Sequence, residues 1–177
     1  MRKLLLVVAL VMPMMVQAED KKAPTDLRGV LLRQLRTTHT EADWYVPAKT
    51  AVEGLTAEQA NWSPGKGNHS VGQLAYHLWF WDARELAEFK GEKNPAFTGK
   101  NDETFDNFTP AQWDELVKKL DQVQADWEKA VESADDKTLA DKAWVVAVIG
   151  AHNAYHIGQI VYARKLQGVW NPDKGVK

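Results

Sequence analysis

The chain has no cysteine. Disulfide staples, cysteine nucleophiles and a lipid-anchoring cysteine are therefore excluded, and the fold has to be held by its core. A surplus of one charge is also missing. The 22 Lys and Arg face 24 Asp and Glu, and they form no basic cluster of the kind nucleic acid would call for. Strand patterns are absent too, since no short segment alternates apolar with polar residues. Long apolar runs are scarce. The one at Leu4–Val16 falls short of the roughly 20 residues a membrane span needs.

That run has another reading. Arg2 and Lys3 precede it and the small-residue site Val16-Gln17-Ala18 follows it, the three parts of an export signal cut after Ala18. The expected location is then the periplasm or the extracellular medium. The mature chain would have 177 − 18 = 159 residues, with 20 basic and 24 acidic side chains, a net charge of −4. That length suits one domain. Eight Trp in so short a chain imply a bulky, well-filled interior.

What is present is helix pattern. After a polar leader at 19–24, one domain is expected over 25–170, with a tail at 171–177. Leu27, Val30/Leu31, Leu35, Thr38, Ala42 and Tyr45 recur at helical spacing, up to a stop at Pro47 or Gly54. Thr56 with Gln59, and Ser70 with Gln73, form capping boxes. The second opens a helix that runs to Gly91, with Val71, Leu74, Leu78 and Trp81 on its apolar face. Residues 94–108 are polar and irregular, fit to cross the domain or border a site. Thr109, Pro110 and Gln112 start a third helix, and 133–141 reads as a second polar connector. A fourth helix then ends at Gly168. Four amphipathic helices predict an all-α four-helix bundle.

The fourth helix places His152 and His156 four residues apart, on one helical face with Cβ atoms roughly 5–6 Å apart. The apolar stripe Val145, Val148/Ile149, Tyr155, Ile160, Ala163, Leu166 predicts that this face points inward. His77 lies between Leu74 and Trp81 on the second helix, where alone it reads as a core histidine and, beside the pair, as a candidate third ligand. Three imidazoles make a normal first shell for a catalytic divalent ion, leaving a position for water or substrate. Zinc is the default, and nickel, iron or manganese also accept imidazole. The pair is not the zinc-protease motif, because Asn153 stands where a general-base Glu would be needed. His39, at the border of its stripe, reads either as a half-buried hydrogen-bonded residue or as one approaching the metal.

The segments SPGKGNHSVGQLAYHLWFWDARELAEFKGE and AHNAYHIGQIVYARKLQG resemble the DinB-like superfamily. The likeness lies in a Ser-x-Gly-x-Leu-x-x-His opening to the second helix and a His-x-x-x-His-x-Gly-Gln core in the fourth. It implies an up-down-down-up four-helix bundle and a divalent-metal site on His77, His152 and His156. Such families include thiol-dependent transferases and isomerases. Export argues against a cytoplasmic thiol, which leaves a metal-dependent hydrolase, or a non-catalytic bundle binding a metal or small molecule. Gly158 would allow close approach of a neighbouring helix. Gln159 and Tyr155 are candidates to orient a ligand or water. Asp82, Arg84 and Glu85 are candidates for contact with ligand or substrate, with surface ion pairing as the plainer role. The expected partners are a small-molecule substrate and a second copy of the chain, without nucleic acid or a lasting membrane anchor.

Overall fold

The structure, a computed structural model, describes residues 23–94, 96–105 and 107–176. The export signal expected over 1–18 lies outside them. Six α-helices follow in order: α1 Leu27–His39, α2 Ala48–Val52, α3 Ala57–Asn61, α4 Val71–Phe89, α5 Pro110–Ser133 and α6 Asp136–Gln167. Short 3-10 turns occur at Asn101–Thr104 and Pro172–Lys174, and no strand is present among the described residues. No described helix is long and apolar enough to cross a membrane.

Local chemistry sets most of the boundaries. Thr56, Ser70 and Thr109 each accept from the backbone N–H three residues on, while Gln59, Gln73 and Gln112 reach back to the cap. Such reciprocal bonds satisfy two donors that a helix start otherwise leaves open. Gly168 closes α6 at φ 76°, a left-handed conformation that glycine adopts without a Cβ penalty.

Two expected boundaries move. The first helix stops at His39, well before Pro47. The Thr38 hydroxyl donates to the Leu35 carbonyl at 2.9 Å, and the N–H groups of Thr40 and Glu41 both turn onto the Arg36 carbonyl. Side-chain bonds of this kind compete with helix continuation, and β-branched threonines weaken it further. The supposed connector at 133–141 shrinks to Ala134 and Asp135. Asp135 caps Thr138 N–H at 2.7 Å, and the polar residues after it are the solvated first turns of α6. Lys137 and Asp141 pair across one turn at 2.6 Å.

Helices α1 and α4 each pack against both α5 and α6. The shared core includes Leu35, Leu74, Leu78, Leu120, Trp127, Val146 and Ile160, all essentially closed to solvent. Burying each such side chain contributes about 1.5–3 kcal/mol. Ends are tied as well. Arg28, near the start of α1, donates to the Glu132 carbonyl at 3.0 Å and to Asp136 at 2.9 Å. Lys142, near the start of α6, donates to the Phe89 carbonyl at the end of α4, at 2.6 Å.

The expected inward stripe of α6 is only partly right. Ile149, Ile160 and Ala163 are buried, but Val148, Tyr155 and Leu166 are exposed. The buried face runs through Leu139, Val146, Ile149, Gly150, Asn153, His156, Ile157, Ile160, Val161, Ala163 and Arg164. Leu27 and Val30 of α1 are likewise exposed, and Leu32 takes their place in the core. Close helix approach falls at Gly150, where a Cβ would meet the Gln34 side chain at 2.5 Å. Gly158 has open space around it.

Candidate metal centre

The capping box at Ser70 fixes the start of α4, which turns His77 inward beside Leu74 and Leu78. On α6, His156 is buried and His152 half-buried on the side that faces α4. The three rings converge. One ligand-type nitrogen from each lies within 4.8 Å of the others, and His77 Nε2 stands 3.2 Å from His152 Nε2. Ring centroids are 4.6 to 5.2 Å apart.

Two of the rings are held in a defined tautomer. The Thr104 hydroxyl donates to the Asn101 carbonyl at 2.6 Å, so its oxygen accepts from His77 Nδ1–H, also at 2.6 Å. His77 Nε2 is left with its lone pair toward the other rings. His156 Nδ1–H donates to Gln159 Oε1 at 2.6 Å, which frees its Nε2 in the same way. The Gln159 amide in turn donates to Tyr155 Oη at 3.2 Å, fixing which amide atom faces the ring. His152 Nδ1 has no such partner. Phe105 stacks on His77 at 4.4 Å and 5°, and closes one face of the site.

The rings are neutral at ordinary pH. Burial, with the adjoining imidazoles, lowers the His77 pKa to about 3 and that of His152 to about 4, and burial lowers that of His156 as well. Neutral rings with free nitrogens are the form that binds a metal. Two ligands of a tetrahedral ion at about 2.0–2.1 Å lie about 3.4 Å apart, so the 3.2 Å spacing of His77 and His152 fits shared coordination. The residues fit a divalent ion.

Residues 48–160 match the family model of the DinB superfamily. That stretch is well over half the chain and contains all three histidines. The chain belongs to the DinB superfamily. No curated protein and no solved structure matches it. Among the described residues of this DinB protein, His77, His152 and His156 are the one group placed to hold a metal.

The remaining sequence candidates separate. Gln159 and Tyr155 join the site through His156. Glu85 lines a cavity of about 430 Å³ that opens on His77 and His152, and burial raises its pKa. Trp81, Trp144, Val148 and Ile149 make that cavity apolar. Arg84 is not part of this lining and lies over the Phe80 and Phe97 rings. His39 is not in the cluster either. It is buried between α1 and α5, with Nδ1 2.6 Å from Glu128 and Nε2 3.1 Å from Asp121.

Asp82 differs most from expectation. A surface ion pair was its plainer reading, yet it is fully buried behind the site. It accepts from Asn153 Nδ2 at 3.0 Å, and its own carbonyl accepts from Trp127 Nε1 at 2.9 Å. Burial pushes its carboxyl pKa up to about 8, so it is an acid rather than a carboxylate at neutral pH. Sequence reasoning missed Thr104, Asn101 and Phe105. They sit in a polar connector without periodicity, where only the threonine's hydroxyl chemistry could have drawn attention.

Proposed function

We propose that this DinB protein is exported and holds one divalent ion on His77, His152 and His156. Zinc is the first choice, with nickel, iron or manganese as alternatives. When bound, the ion supplies Lewis-acid polarisation of a substrate and acidification of a coordinated water. On this reading the chain is a hydrolase or transferase acting on a small molecule. Thr104 and Gln159 hold two of the ligand rings. Trp81 and Trp144 receive an apolar part of the substrate, and Glu85, kept partly from water, accepts a proton at the mouth of the site.

The observation that carries this reading is the pairing of His77 Nδ1 with Thr104 and of His156 Nδ1 with Gln159. It leaves free nitrogens aimed at one point, beside a cavity. The test is metal analysis of the protein as isolated, followed by a panel of esters, amides and thiol adducts. Near-stoichiometric metal and turnover that disappears in His152→Ala support the proposal. Metal without any turnover favours the second reading, a non-catalytic metal-binding bundle. That reading draws on Asn153, which stands at the general-base position of a His-x-x-x-His pair and is engaged with Asp82 instead.

The helix order we propose is up-down-down-up. It is supported by Arg28 tying the start of α1 to the end of α5 and the start of α6, and by Lys142 tying the start of α6 to the end of α4. We also propose self-association through the exposed Trp144, Val148, Tyr155, Tyr162 and Leu166 of α6. Sedimentation of the wild type against Tyr162→Glu tests this, a dimer being expected for the first and a monomer for the second.

A further inference from the structure

Away from the histidines, α5 and the segment from α2 to Leu55 enclose a cavity of about 550 Å³. It shares no lining residue with the cavity beside the metal centre. Its walls are apolar, built from Val52, Leu55, Trp113, Val117 and Leu120, and the volume suits a small organic ligand. Gln124 lines the same cavity. The residue is 4% exposed, and neither its Oε1 nor its Nε2, both buried, has a hydrogen-bond partner.

A buried carboxamide with both atoms unpartnered is costly, at about 1–3 kcal/mol per group. Leucine or methionine would serve the packing better. The contrast within this chain is direct. The half-buried Asn61 carboxamide both donates to the Phe108 carbonyl and accepts from the Phe108 N–H. Gln124 keeps an adjacent donor and acceptor behind the wall of an apolar cavity, closed to water as the side chain stands, and uses neither on the protein.

We propose that this cavity is a second ligand site, for an uncharged small molecule with an apolar body and a carboxamide or lactam edge. Such an edge accepts from Gln124 Nε2–H and donates to Oε1 at once, with a turn of the flexible Gln side chain into the cavity. A carboxylate cannot do both, because it only accepts. The rim does not select an anion either: Lys49 and Lys118 stand among Glu53, Asp114 and Asp121, with Lys49 paired to Asp121 and Glu53 paired to Lys174.

The test is an NMR titration of the isotope-labelled protein with benzamide, benzoate and toluene, following the Gln124 side-chain amide and the Trp113 indole N–H. Benzamide should bind saturably and shift both signals, with benzoate at least about tenfold weaker. In Gln124→Met, which keeps the volume, benzamide should weaken about tenfold while toluene is held as well or better. Val117→Trp, which fills the cavity from its partly exposed wall, should abolish both. Addition of zinc should leave benzamide binding unchanged. No saturable shift with benzamide would overturn the proposal, as would equal binding of benzamide and benzoate, or undiminished binding in Gln124→Met.

Discussion

Two seams of the same protein bury histidine in opposite ways. Between α1 and α5, His39 lies between the carboxylates of Glu128 and Asp121, and these are also met by Arg36 and Lys49. Both ring nitrogens are occupied by protein, so nothing remains to bind a metal. Between α4 and α6, His77, His152 and His156 are gathered with no carboxylate hydrogen-bonded to them among the described residues. Burial keeps His77 and His152 neutral, with pKa values of about 3 and 4. The outer partners of His77 and His156 are a hydroxyl and a carboxamide, which orient a ring without charging it. The company a histidine keeps, rather than its burial, decides whether it is structural glue or a ligand.

The contrast can be broken most severely by removing a ligand. His77→Ala should lower affinity for zinc by about a thousandfold, the share of one ligand among several, as read by competition with a chelating dye. The wild type should melt at higher temperature with zinc than with chelator, and the variant should show no such difference.

Next in size is the buried acid behind the site. The folded-state pKa of Asp82, about 8, lies above the ordinary carboxylate value of 3.8. Between those pH values the folded chain keeps a proton that the unfolded chain has released. The stability this contributes is complete below about pH 4 and declines as pH rises toward 8. Asp82→Asn cannot ionise and keeps the acceptor for Asn153. It should flatten that decline and raise stability near pH 7 by on the order of 2–4 kcal/mol, measured by urea unfolding across pH.

A subtler test leaves the ligands in place and removes an outer partner. Thr104→Val keeps the shape but takes away the acceptor for His77 Nδ1–H, and zinc affinity should fall roughly 10- to 100-fold. The opposite seam gives the smallest effect on metal. His39→Ala should leave zinc affinity unchanged while lowering stability by about 1–3 kcal/mol, because Asp121 and Glu128 lose a buried partner. Loss of zinc in His39→Ala would collapse the distinction between the two seams.

Three helix starts were legible because capping is local: Thr56, Ser70 and Thr109 act within three residues of themselves, whereas the start of α6 at Asp135 was read as connector. His77, His152 and His156 were legible for a related reason, as helical spacing puts the latter two on one face and His77 follows a recognisable helix opening. The facing of α6 was misread because that helix is apolar on two sides. Val146 and Ile160 serve the core, while Trp144, Val148 and Tyr162 meet solvent. Periodicity cannot choose between two apolar stripes. The end of α1 was misread because Ala42 and Tyr45 continue a spacing that the backbone has already abandoned.

By itself the sequence determined an all-helical chain, most of its caps, and the residues able to bind a metal. These follow from interactions spanning three or four positions. Only the tertiary structure decided that Thr104 would orient His77, that Asp82 would be buried as an acid against Asn153, and that His39 would be claimed by α5. Each of those pairings joins residues 27 to 89 positions apart. Across such separations no local pattern fixes the partner, and the packing of one helix on another selects it.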